Sequence, residues 1–195
     1  MKKIILGFIC LFNFGFASAE TINFDDLAGN FDPVPNGYKG FKLNISNLTG
    51  VVNINPYLVS GVDYTGIKDN ALFNAFGYIA PNTTVISATG ATKFDFLSGF
   101  WSAGLTGNTD IQFEGYVNNH LVHTSSIYNL NGSSVTPILL NWYGIDSLSI
   151  LSSPSIWIAD NLDVNLYTSP VPVPAAVWLF GSAILGFMGL RRKYI

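Results

Sequence analysis

The sequence predicts an all-β domain, a two-sheet sandwich of jelly-roll type, held between two hydrophobic ends. Three observations carry that prediction. From Thr21 onward, β-branched and aromatic residues alternate with polar ones in runs of about five to eight. Gly, Asn, Pro and Ser punctuate these runs at short intervals, and no apolar pattern of helical period extends beyond two turns. About ten short strands with turns at that frequency indicate two packed sheets, and no repeating period suggests a propeller or solenoid.

The chain opens with Met1-Lys2-Lys3, continues through the apolar run Ile4 to Phe16, and reaches Ala17-Ser18-Ala19 before Glu20. A basic start, a short hydrophobic stretch, and small residues at Ala17 and Ala19 are the marks of a secretory signal peptide cut after Ala19. The apolar stretch is too short for a permanent span. The only cysteine, Cys10, falls inside this leader behind Gly7-Phe8-Ile9, which fits a lipoprotein box poorly. A mature chain without cysteine excludes disulfides, thiol catalysis and cysteine metal sites.

Residues 20–169 form the exported domain, long enough to bury a substantial core. Its four lysines, Lys39, Lys42, Lys68 and Lys93, stand against all 12 acids, a balance of −8. Phosphate binding needs clustered cations, so nucleic acid is excluded as a partner. The expected strands are Thr21 to Leu27, Gly40 to Leu43, Val51 to Ile54, Ala71 to Ala75, Thr84 to Ala88 and Lys93 to Trp101. Thr109 to Asn118, His120 to Tyr128, Ser134 to Trp142, Ser147 to Ser152 and Ile156 to Tyr167 complete the set, and Pro33 to Tyr38 reads as a loop. Asn118-Asn119 between two alternating runs predicts a tight hairpin, because Asn tolerates the positive φ that such turns demand.

Residues 171–190 read V-P-V-P-A-A-V-W-L-F-G-S-A-I-L-G-F-M-G-L without a charge, and Arg191-Arg192-Lys193 follow. A run of roughly 20 apolar residues crosses a bilayer, and the basic triplet holds its end in the cytoplasm. The motif Val171-Pro172-Val173-Pro174-Ala175, the apolar span and the basic cluster Arg191, Arg192 and Lys193 resemble, in that order, the PEP-CTERM class of bacterial sorting signals. The likeness is greatest to its Val-Pro-Leu-Pro-Ala variant, with Val173 in place of Leu. That resemblance implies export in a Gram-negative bacterium, retention in the inner membrane, and cleavage by an exosortase-type membrane protease before delivery to the cell surface or extracellular space.

The exported domain itself resembles sandwich domains that open with Asn-Phe-Asp-Asp-Leu and close with an Asp-Asn-Leu strand. The matching stretches are Ile22 to Leu27, Pro33 to Gly40, Phe73 to Gly77, Asn141 to Leu148 and Ala159 to Val164. Such domains are similar to the galactose-binding-like and carbohydrate-binding-module jelly rolls.

Candidate chemistry is sparse. His120 and His123 lack the glutamate and helix of a His-Glu-x-x-His zinc site, and an i, i+3 pair on a regular strand points to opposite faces. No serine lies in Gly-x-Ser-x-Gly, and Ser98-Gly99 and Gly132-Ser133 read as turns. Asp95, Asp110 and Glu114 could supply a glycosidase pair only if two of them converged. Period-2 alternation aims Asp26 inward with Ile22 and Phe24, and Asp160 inward with Ile158, Leu162 and Val164. Two resolutions of such buried acids compete: Asp25, Asp26 and Asp160 could share a structural Ca2+ where the first and last strands meet, or each could accept backbone N–H bonds at a strand end.

Tyr38, Tyr57, Tyr64 and Trp101 are the rings expected in or near loops, where a flat face can stack on a sugar. Trp142 and Trp157 are expected to pack within the sheets. The expected function is that of an exported, non-enzymatic protein that binds glycan or serves adhesion in extracellular polysaccharide. A polysaccharide hydrolase and a matrix protein without specific ligand are the alternatives.

Overall fold

The computed structural model describes residues 17–44, 49–58, 60–74, 82–90, 93–104 and 107–167. They belong to one compact unit, Ala17–Thr168. The expected leader up to Phe16 and the expected tail, with its motif, apolar run and basic cluster, lie outside the described residues. No helix among the described residues is long and apolar enough to cross a membrane.

The strands in chain order are β1 (Ala17–Ile22), β2 (Asn30–Pro33), β3 (Phe41–Asn44), β4 (Thr49–Asn53), β5 (Asn70–Asn74), β6 (Asn82–Ala88) and β7 (Phe94–Ala103). They continue with β8 (Asn108–Val117), β9 (His120–Thr124), β10 (Tyr128–Asn131), β11 (Thr136–Ile145), β12 (Ser147–Ser152) and β13 (Trp157–Tyr167). One sheet has the order β11-β7-β13-β5-β4-β2 with β1 also on β13; the other has β10-β8-β12-β6-β3 with β9 on β8. All pairings are antiparallel. The chain changes sheet at every step except β1 to β2, β4 to β5, β8 to β9 and β9 to β10, so the two layers form a single rolled sandwich.

Alternation builds the core. Ile111 and Phe113 of β8, Leu148 and Ile150 of β12, Phe94, Phe96 and Trp101 of β7, and Trp157 and Ala159 of β13 all point between the sheets and are fully buried. Trp101 packs edge-on to Phe113 at 5.0 Å and against Trp157 at 5.3 Å. Such pairs add about 0.5–1.5 kcal/mol each beyond the burial of their area. A second apolar cluster, Val52, Ile54, Ile67, Ala71, Phe73 and Ile158, sits on the outer face of the first sheet.

The Asn118-Asn119 hairpin forms as expected: φ is 51° and 62° at the two residues, and Val117 faces His120. Elsewhere the strands depart from the sequence reading where the backbone breaks alternation. The first strand spans Ala17–Ile22 instead of Thr21 to Leu27, because Phe24 takes a left-handed φ of 58° and turns the chain. A strand at Asn30–Pro33 replaces the start of the expected loop. The run from His120 to Tyr128 splits into β9 and β10, and Ser98-Gly99 lies within β7 instead of a turn.

In β9 a bulge separates the pairs Leu121–Tyr116 and His123–Gly115. His120 and His123 therefore share one side of the strand, contrary to the regular-strand expectation. His123 stacks on Trp142 at 5.1 Å and 18°, directly over Gly115, where a Cβ would come within 3.0 Å of the indole.

Candidate functional site

The outer cluster of the first sheet opens into a recess of about 130 Å³. Phe31, Tyr57, Leu58 and Tyr64 wall it, and Val52, Phe73 and Ile158 are among the residues beneath. The walls come from irregular backbone. Phe31 is the extra residue of a bulge between the pairs Asn30–Val52 and Asp32–Val51, with φ at 63°. That conformation throws its ring onto the surface, 57% exposed, edge-on to Tyr57 at 6.3 Å and to Phe73 at 5.5 Å. Tyr57 ends the short 3-10 turn Asn55–Tyr57 and is 46% exposed. Tyr64 donates its hydroxyl to the Gly132 carbonyl at 3.1 Å, which fixes the ring's tilt.

The recess thus unites two of the four nominated rings, Tyr57 and Tyr64, and adds Phe31, which sequence reasoning missed. Phe31 sits one residue after Asn30 in a short edge strand, so alternation carries no signal for it. Polar groups lie in the same turns: Asn55, whose amide donates to Asp69 at 2.9 Å, and Asp63, which precedes Tyr64. The other two rings lie elsewhere. Trp101 is not in a loop but on β7, with no exposed surface. Tyr38 stacks on Phe24 at 5.9 Å and donates its hydroxyl to Asp26; its partial burial and that hydrogen bond push its pKa up.

The three acids nominated for Ca2+ are not assembled around one point. Asp26 lies in an exposed turn, where it takes the Tyr38 hydroxyl and the Lys39 ammonium at 3.8 Å, so the inward direction read from alternation is corrected. Asp25 accepts the Asn70 N–H at 3.2 Å. Asp160 is buried at the gap on β13 between its partner β5, which ends at Ala159, and its partner β1, which begins at Leu162. It fills that gap by accepting the N–H groups of Lys68 at 3.0 Å and Asn161 at 2.6 Å.

Asn161 takes φ of 48° and gives its amide to the Gly66 carbonyl at 3.0 Å. This bulge changes the phase of the strand, so Asp160 shares a face with Ile158 but not with Leu162 and Val164, which turn into the core. Burial, opposed by its two N–H donors and reinforced by Asp25 and Asp69, raises the Asp160 pKa to about 7. Among the described residues no group of three His, Cys, Asp or Glu is placed to hold a metal ion.

Nor do the glycosidase candidates converge. Asp95 points to the outer face of the first sheet, where it accepts Gly144 N–H at 2.9 Å and the Tyr167 hydroxyl at 2.8 Å. Asp110 and Glu114 lie on the outer face of the second sheet and engage Asn129 at 2.6 Å and Tyr116 at 2.6 Å. Four residues of strand separate these two by about 13 Å, beyond the spacing of either hydrolytic geometry.

No family model matches the chain, and no curated protein matches it. Solved structures do align with it. One is the CBM22-1-CBM22-2 tandem of Paenibacillus barcinonensis Xyn10C, at 11% identity and TM-score 0.46, covering 82% of this chain. This chain spans 47% of that tandem. The CBM22-1 xylan-binding domain of the same enzyme aligns at 13% identity and TM-score 0.45, over 80% of this chain and 97% of its own. The K2 cleaved adhesin domain of Lys-gingipain aligns at 7% identity and TM-score 0.42, over 77% of this chain and 100% of its own. At these values the likeness assigns this chain neither a family nor a ligand.

Proposed function

We propose that this chain is an exported surface or matrix protein whose sandwich binds a neutral glycan in the recess walled by Phe31, Tyr57 and Tyr64. The exposed Phe31 carries the reading. A bulky residue in the left-handed region is strained by about 1–2 kcal/mol, and here the strain is not repaid by burial of the ring. It holds a phenyl face in water, beside a second exposed ring, at the mouth of an apolar recess. Sugar rings present a C–H face to such surfaces, while their hydroxyls need amide and carboxylate groups like those of Asn55 and Asp63 at the margin.

The reading is of a binding protein; the hydrolase alternative finds no converging pair in Asp95, Asp110 and Glu114. A glycan array probed with the Ala17–Thr168 unit tests it. Binding to a polysaccharide, weakened about tenfold or more by Phe31→Ala or Tyr57→Ala, is expected. No binding to any polysaccharide, the source organism's included, would leave the structural-matrix alternative.

For the tail, the proposal is retention in the inner membrane with a cytoplasmic C-terminus, then release by an exosortase-type protease acting near Val171 to Ala175. Mass spectrometry of released protein decides it. C-termini still ending at Ile195 would sink the idea.

A further inference from the structure

The recess holds almost nothing for a hydroxyl to bind. Among the described residues that line it, the side-chain polar atoms are the hydroxyls of Tyr57 and Tyr64, and Tyr64 donates its own to the Gly132 carbonyl. The backbone of the lining is engaged as well. Gly104 N–H donates to the Ile156 carbonyl at 2.7 Å, Ile54 N–H to that of Asp69 at 2.8 Å, and Tyr57 N–H to that of Ile54 at 2.8 Å. Asn55 and Asp63 stand outside the lining, exposed in the turns that carry Tyr57 and Tyr64.

A bare sugar edge pushed into this space exchanges water for hydrocarbon, and each hydroxyl buried there without a partner weakens binding by about tenfold. A carbon chain meets the reverse balance. Every CH2 it buries tightens binding by about fourfold. The volume sets the length of that chain: an apolar cavity of about 150 Å³ holds benzene, so a recess of about 130 Å³ is filled by a chain of about six carbons or slightly fewer. Half-buried Ile156 forms one wall and is seated on Gly104, where a Cβ would come within 2.5 Å of its Cγ2.

We propose that the recess receives a short acyl chain, of two to about six carbons, esterified to the glycan, while the sugar that bears it lies against Phe31 and Tyr57. This rests on the recess being the glycan site and narrows the ligand to O-acylated polysaccharides. The two parts of the site then divide the work. The exposed rings and the polar margin meet a hydroxylated sugar that stays partly in water, and the hydrocarbon floor of Val52, Phe73 and Ile158 meets the one part of the ligand that carries no hydroxyl.

The test titrates the Ala17–Thr168 unit, which contains every described strand, with two sets of probes. One is glucose carrying a 6-O-acetyl, butanoyl, hexanoyl or octanoyl ester; the other is a panel of acylated polysaccharides, each before and after mild alkaline deacylation. Affinity should rise roughly tenfold for every two carbons up to the hexanoyl ester and level off at the octanoyl ester. Deacylated polysaccharides should bind at least tenfold more weakly than their parents. Ile156→Ala, checked by its melting temperature, opens one wall by roughly three carbons and should carry the rise on to the octanoyl ester, whereas Phe31→Ala should weaken every ester by the same factor. Equal binding before and after deacylation, lost in Phe31→Ala, would keep the recess as a glycan site and overturn the acyl assignment. An affinity blind to chain length, or a plateau unmoved in folded Ile156→Ala, would overturn it too. Hexanoate without a sugar binding as tightly as its glucose ester, or no binding to any probe, would overturn the glycan site together with the acyl chain.

Discussion

Over β2, β4, β5 and the first residues of β13, the outer face of the first sheet is apolar and covered; over β1 and the last residues of β13 it is polar and open. The covered half holds Val52, Phe73 and Ile158 beneath Ile54 and Ile67. On the open half Asp163 accepts the hydroxyls of Thr21 at 2.6 Å and Ser98 at 2.9 Å, and Asn165 donates to Asp95 at 3.2 Å. One residue divides them. The left-handed Asn161 shifts β13 by a single position, so the strand serves an apolar layer before the bulge and a hydrogen-bonded one after it. One strand can thus floor an apolar recess at one end and carry a hydrogen-bonded face at the other.

The largest effect should come from Asp160, at the boundary itself. Its folded pKa of about 7 exceeds the ordinary aspartate value of 3.8, so the native state holds the proton more tightly. Stability is then fullest below the lower value, declines as pH rises through about 7, and is level above it; at 1.36 kcal/mol per pH unit the loss is bounded at about 4 kcal/mol. Urea unfolding between these pH values should show that slope in the parent and a flatter one in Asp160→Asn. Matching slopes would refute the assignment.

Phe73→Ala should come next, at about 3 kcal/mol, because it empties the floor of the covered half while leaving the open half intact. Asn161→Ala should cost about 2 kcal/mol, from left-handed strain and the lost bond to Gly66, whereas Asn161→Gly should recover about half. Equal losses in the two variants would mean the backbone conformation contributes nothing. The smallest effect sharpens the comparison at the recess. Phe31→Gly should be more stable than Phe31→Ala by about 1 kcal/mol, the reverse of the usual order, while both lose glycan binding.

These same backbone exceptions mark the limits of what could be read from residues alone. β8 was legible because its burial alternates from Asn108 to Tyr116, and Asn118-Asn119 announced its turn. β2 was not, since Phe31 breaks the alternation that would have revealed it. Asp26 was aimed inward only on the assumption that the strand ran past Phe24. Asp160 was rightly read as buried beside Ile158, yet the bulge one residue later redirected Leu162 and Val164. Trp101 followed a strand that runs two residues beyond the expected end, which placed a presumed surface ring in the core. Tyr57 and Tyr64 were found because loop aromatics stand out from alternation; their convergence with Phe31 is tertiary and has no local signature.

The first strand also bears on the proposed leader cut after Ala19. β1 pairs Ala17 with Tyr167, Ser18 with Leu166 and Ala19 with Asn165. A peptidase that cuts after Ala19 needs an extended, unpaired substrate, and in the folded domain that bond lies inside a ladder. Under the proposed reading of residues 1–19 as a leader, its removal would have to outrun the docking of β1 on β13, and a precursor that folded first would be a kinetic dead end. After such a cut, Asn165 to Tyr167 would lose those three partners, leaving a short unpaired edge at the end of β13.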